Sequence, residues 1–170
     1  MFQGVTLLEC IITLSLIALL LMFSIGFDRS FISRQQAQTD LEQLMMVIAY
    51  ARSQAIYTNT PVIICHSDNQ KTCDGSWSQG YIAFWDRDGS HQPSVNNKLF
   101  QIVTALKRDA QLTWVGFRGQ NLQIEPTGIL AAASGHFAYC PTANADRNGR
   151  RLVINRTGRM RIAGLQTGDC

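Results

Sequence analysis

The sequence predicts an α+β protein, with one long N-terminal helix packed on an antiparallel β-sheet domain. Three observations lead there. Cys10 to Phe27 contains no charged residue. Apolar side chains then recur at three- and four-residue steps to about Thr58, as on one face of a helix. Past Pro61 the chain breaks into short β-branched and aromatic runs separated by glycine-bearing turns. At 170 residues, 46% hydrophobic and 16% charged, it suits one core with an appendage. The expected divisions are a leader at 1–4, a transmembrane segment at 5–27, an amphipathic continuation of the helix at 28–60 and a β-rich domain at 61–170.

The apolar run comes first. Eighteen uncharged residues reach about 27 Å as a helix, close to the thickness of a bilayer's hydrocarbon core. A secretory signal peptide would show a positive n-region, a shorter apolar core and a small-residue cleavage site. Here the short stretch Met1-Phe2-Gln3-Gly4 precedes the run, and a single acid, Glu9, sits in its first turns. Below Phe27, the stripe of Leu41, Leu44, Met45, Ile48, Ala49, Ala51 and Ala55 predicts the buried face of a helix that Asn59 and Pro61 close. One helix from near Val5 to Thr58 is the simplest reading, and two helices broken at Gly26 the alternative.

The expected strands are Val62–Cys65, Tyr81–Trp85, Leu112–Phe117, Leu122–Ile124, Phe137–Cys140, Leu152–Asn155 and Arg159–Ile162. Asp74-Gly75, Asp88-Gly89, Arg118-Gly119 and Thr127-Gly128 supply turns between the first six. Arg156-Thr157-Gly158 joins the last two, its glycine suited to a positive φ.

Charge is distributed unevenly. Residues 1–146 hold nine Lys/Arg against eleven Asp/Glu, whereas 147–170 hold six Arg against Asp169 alone. If the last two strands form a hairpin, Met160 and Ile162 face the core. Arg159 and Arg161 then point together into solvent, about 6 to 7 Å apart, with Arg156 at the turn beside them. Such a row of guanidiniums reads phosphates, and Arg150 and Arg151 extend it. Salt bridges to a neighbouring subunit, anionic surfaces and a plain solvated face are the competing uses.

Four cysteines outside the apolar run, Cys65, Cys73, Cys140 and Cys170, suit an oxidising compartment. The expected disulfides are Cys65 with Cys73 and Cys140 with Cys170, a pairing the sequence alone leaves open. Cys10 reads as a small apolar residue. Cys65, His66 and Cys73 lack a fourth zinc ligand at a standard spacing. Asp86-Arg87-Asp88-Gly89 lacks the glutamate that closes a calcium loop and reads as a turn. His66, His91 and His136 stand near no nucleophile motif, and no G-x-S-x-G, P-loop or H-E-x-x-H occurs. Trp77, Trp85 and Trp114 read as packing residues. No enzyme, cofactor or metal is therefore expected.

Gly4-Val5-Thr6-Leu7-Leu8-Glu9 followed by an apolar helix resembles the processing site of type IV prepilins. The resemblance implies cleavage after Gly4 by a prepilin peptidase and methylation of the new amine on Val5. It also implies an anchor in the inner membrane that later joins a filament core, with Glu9 neutralising a neighbouring subunit's terminal amine. An unpaired charge there would cost several kcal/mol. The chain departs from the family pattern in having Val5 where phenylalanine is favoured and no Lys or Arg in the leader. Ala51-Arg52-Ser53-Gln54-Ala55-Ile56, Asn59-Thr60-Pro61-Val62, Cys65 with Cys73, and Gly80 to Asp86 resemble the GspH/FimT branch of minor pilins and pseudopilins. Gly158-Arg159-Met160-Arg161 is similar to the DNA-contacting Gly-Arg-x-Arg element of FimT-like members. The implied function is a minor pilin that binds double-stranded DNA during natural transformation, beside other major and minor pilins. The alternative is a structural pseudopilin of a type II secretion system. Either implies a single-pass inner-membrane protein with a periplasmic domain, the former reaching the cell surface in a pilus.

Overall fold

A computed structural model describes residues 6–24, 29–104, 110–116, 120–131, 134–142 and 148–170. Helix α1 spans Leu7–Ser24 and α2 Arg29–Thr58. Residues 25–28, where a single helix would continue or break, lie outside the described set, as do Gly4 and Val5. Thr6 caps α1, its Oγ1 accepting from the Glu9 N–H at 3.3 Å. Thr6-x-x-Glu9 is thus the sequence pattern of a capping box, so Glu9 has a local reason for its place. Every described side chain of α1 from Leu7 to Leu20 is exposed, and all but Glu9, Thr13 and Ser15 are apolar. Among the described residues no helix is long and apolar enough to cross a membrane. The 18 residues of α1 reach about 27 Å, against a hydrocarbon core of about 30 Å.

Helix α2 ends as its sequence directs. Asn59 adopts a φ of 48°, its N–H bonds to the Ile56 carbonyl, and the Thr60 N–H bonds to that of Ala55. This Schellman motif satisfies the last carbonyls before Pro61 turns the chain away.

Eight strands follow: β1 Val62–His66, β2 Gly80–Trp85, β3 Leu99–Thr104, β4 Ala110–Gly116, β5 Leu122–Ile124, β6 Gly135–Pro141, β7 Arg150–Ile154 and β8 Met160–Gly164. They form two antiparallel four-stranded sheets, ordered β3-β2-β1-β5 and β4-β6-β7-β8. β3 was not anticipated. Its residues, Leu99-Phe100-Gln101-Ile102-Val103-Thr104, alternate poorly in burial, because it is an edge strand with little to hide. The Phe117 end of the fourth strand and the Arg118-Gly119 turn lie outside the described residues, whereas Gly75, Gly89 and Gly128 all have positive φ.

The main core lies where α2 meets both sheets. Leu41, Leu44, Ile48, Ala51 and Ala55 are buried with Val62 and Ile64 of β1, Phe137 and Tyr139 of β6, and Leu152 and Ile154 of β7. Ala37 and Val47 join them, while Ala49 of the anticipated stripe faces solvent. Ile63, Cys65, Ile82 and Phe84 form a second cluster on the far face of the first sheet. Of the tryptophans, Trp77 is buried and stacks edge-on to Phe137, Trp114 tilts against the same ring, and Trp85 packs on Phe100.

Both disulfides have the expected pairing. Cys65–Cys73 and Cys140–Cys170 join Cα atoms 5.5 and 5.9 Å apart, within the usual span of a disulfide. Cys10 is a free, exposed thiol on α1.

Candidate nucleic-acid interface

The β7–β8 hairpin is closed by a three-residue loop, Arg156-Thr157-Gly158. The Gly158 N–H bonds to the Asn155 carbonyl at 2.9 Å, and the Asn155 N–H to the Arg159 carbonyl at 3.1 Å. Asn155 Oδ1 accepts from the Arg159 N–H and the Thr157 hydroxyl, each at 2.8 Å. Gly158 has a φ of 79°, which gives the left-handed third position this loop type requires. The loop is also pinned from outside, as the Arg156 carbonyl accepts the Leu130 N–H at 3.0 Å.

Register sets the faces. Leu152 pairs with Ile162 and Ile154 with Met160, so the apolar residues point toward α2; Val153 pairs with Arg161 and Arg151 with Ala163 on the opposite face. Arg156, Arg159 and Arg161 are exposed. Met160 and Ile162 pack on the core. Among the described residues none of these three guanidiniums has a carboxylate or other hydrogen-bonding partner.

Arg150 and Arg151 stand at the hairpin's other end and are arranged differently. Arg150 Nη1 donates to the Gly149 carbonyl at 3.2 Å. The Arg151 side chain, 12% exposed, donates to Gln166 Oε1 at 2.6 Å and lies 3.8 Å from Asp169 Oδ2. Asp169 also holds His136, whose Nε2 lies 3.0 Å from Asp169 Oδ1. The Gln166 N–H donates to Asp169 at 2.6 Å. That backbone bond is the first cause holding the Asp169 carboxyl below its ordinary range, with the charges of His136 and Arg151 adding to it. The chain after β8 therefore folds over the outer face of β6 and β7, Cys170 fastens it to Cys140, and Arg151 is covered.

Beneath the loop lies a residue the charge pattern did not single out. Arg52, on the edge of α2's buried stripe, runs its guanidinium under two left-handed glycines. A Cβ built on Gly158 would stand 2.9 Å from Arg52 Nη1, and one on Gly128 3.0 Å from Arg52 Nε. Arg52 Nε is buried without a hydrogen-bond partner. Its signals in the sequence were a cation one step past Ala51 and its place in the Ala51 to Ile56 block.

The Asp86 to Asn97 segment is more organised than a turn. The Asn97 side chain is fully buried, with its Nδ2 2.6 to 3.2 Å from Asp86 Oδ1, Asp88 Oδ1, Ser90 Oγ and the Gln92 carbonyl. These oxygens follow the first, third, fifth and seventh positions of a calcium loop, and His91 at the sixth has a φ of 57°. An amide nitrogen occupies the centre of this cage. The Asp88 carboxyl is held below its ordinary range chiefly by its hydrogen bonds to Ser90 and Asn97. Among the described residues no group of three or more His, Cys, Asp or Glu is placed to hold a metal.

Comparison with known proteins agrees with this architecture. The family profile described as "Type II transport protein GspH" matches residues 40–158. The type IV minor pilin FimU of Pseudomonas aeruginosa superposes with a TM-score of 0.60 at 20% identity, covering 78% of this chain and 92% of its own. The minor pseudopilin EpsH of the Vibrio cholerae type II secretion system gives 0.55 at 12% identity, covering 76% and 97%. At these identities both show a shared fold. No curated protein sequence matches the chain.

Proposed function

The chain belongs to the GspH family of minor pilins and pseudopilins, and from that premise we propose that it is a minor type IV pilin that binds double-stranded DNA in natural transformation. The observation that supports this most is the set of three exposed arginines, Arg156, Arg159 and Arg161, on a short loop and edge strand with no carboxylate partner among the described residues. Guanidiniums fixed on a rigid hairpin can take phosphate oxygens without first breaking internal ion pairs. Contacts to phosphate carry no sequence information, so binding is sequence-tolerant. In this reading Arg150 and Arg151 shape the hairpin's far end, and Gly158 keeps the loop in its conformation.

Processing and assembly belong to the same proposal. Cleavage after Gly4 by a prepilin peptidase gives a mature chain starting at methylated Val5. The segment 5–27 anchors it in the inner membrane with the globular domain in the periplasm, and then enters a filament of major and minor pilins. The exposed, largely apolar surface of α1 suits a lipid or helix-bundle environment. Mass spectrometry of the purified protein should find Val5 at the N-terminus, and a mature chain starting elsewhere removes the processing step.

The test of DNA binding is a salt series on the natural protein and on the Arg156→Gln, Arg159→Gln, Arg161→Gln variant. Three or four phosphate contacts predict a log–log slope of about −3 to −4, which the folded variant should largely lose. Equal binding by the two proteins, or none by either, would favour the second reading. That reading, a structural pseudopilin of a type II secretion machine, is favoured by the family profile's description and by the likeness to EpsH.

A further inference from the structure

We infer that Arg52 of α2 is a fourth phosphate-binding guanidinium of this interface, an assignment that rests on the DNA-binding reading of the hairpin. Its position follows from the helix. Ala51 and Ala55 are fully buried, so Arg52 leaves α2 at the margin of the stripe, half-buried, and runs toward the sheet edge. There it meets the backbone of two turns at their left-handed glycines, with Nη1 toward Gly158 and Nε toward Gly128. The two turns belong to one patch, because the Leu130 N–H bonds to the Arg156 carbonyl.

The electrostatics of Arg52 are unusual for a half-buried charge. Such cations are ordinarily paired, yet among the described residues Arg52 has no ion pair and no hydrogen bond, and its Nε is buried without an acceptor. Packing against glycine backbone holds the fork still without consuming its donors. Gly158, against which the fork packs, lies in the chain between Arg156 and Arg159 of the same loop. A fixed guanidinium with unused donors, seated under a loop tip that also carries Arg156, is built for an anion bearing several oxygens. A phosphodiester passing over the hairpin tip is that anion. Arg52 thus extends the interface from the edge strand onto the helix and makes the contact least costly in side-chain entropy.

The assignment separates contact from packing through the salt dependence. On the full chain in non-ionic detergent, Arg52→Gln should bind duplex DNA roughly five- to tenfold more weakly at low salt. It should also flatten the log–log salt slope by about 0.9, the value of one phosphate. Arg52→Lys should restore the slope. In the natural chain the Arg52 side-chain Nε–Hε resonance should shift when duplex DNA is added, which does not depend on any variant folding. A natural protein that binds with the full slope while Arg52→Gln keeps that slope, or an Arg52 resonance that DNA leaves unmoved, overturns the assignment and leaves the hairpin reading standing. Absence of DNA binding by the natural protein overturns both.

Discussion

Gly158 shows how much one residue can hold. Its φ of 79° is open to an L side chain only at a cost of about 1 to 2 kcal/mol, and the added Cβ would press on Arg52 Nη1. Gly158→Ala should therefore lower stability by about that amount in chemical denaturation and weaken DNA binding beyond what the stability loss explains. Asp169 gives a second prediction at this scale. Its carboxyl titrates below the ordinary value of 3.8, held first by the Gln166 N–H and then by His136 and Arg151. A folded-state pKa below the unfolded one contributes stability that is present above the ordinary carboxylate value and lost as the pH falls through the lowered one. Natural protein should be more stable than Asp169→Asn near neutrality, and the gap between their thermal midpoints should close in acid, as the pH falls from the ordinary carboxylate value through the lowered one. A gap that persists in acid would show that Asp169 acts by packing alone.

Elements differ in how plainly they were written into the sequence. α2 announced itself by the spacing of Leu41, Leu44, Ile48, Ala51 and Ala55, and its end by Asn59 and Pro61, because those residues serve both helix and core. Leu44→Ala should cost about 2 to 5 kcal/mol, measurable by urea denaturation. β3 was hidden because an edge strand has no strict alternation to display. The Asp86 to Asn97 loop was only half legible. Its acids were visible, but the residue that organises them is an asparagine eleven positions on, and an amide acting as hub to four oxygens leaves no periodic trace. Asn97→Asp should lose stability without added ions, since it brings a third carboxylate into the cage, and regain it with calcium. The natural protein should be indifferent to calcium in the same thermal scan.

At the scale of the whole molecule, a single helix forms the wall shared by both sheets, so the basic hairpin is positioned through α2 as well as through its own strands. The architecture and the outward row of Arg156, Arg159 and Arg161 were readable from alternation and from charge crowding in the last two dozen residues. The covering of Arg151 and the seating of Arg52 were not, since both depend on segments distant in sequence meeting in space. Replacing Cys140 and Cys170 together by serine should cost about 3 to 4 kcal/mol on a chain-entropy estimate. It should also expose Arg151, detectable as faster hydrogen exchange across β7 and β8.

That disulfide has a mechanical consequence as well. β8 is the edge of its sheet, and a long polymer gripped at Arg159 and Arg161 would pull on a strand whose one hydrogen-bonded neighbour is β7. Tension of that kind ordinarily peels an edge strand one hydrogen bond at a time. Six residues past β8, however, Cys170 is bonded to Cys140 on β6, one strand further in than β7. Load entering at the arginines has a covalent route around the ladder into the middle of the sheet, so the grip would hold under traction that an unstapled hairpin would not survive.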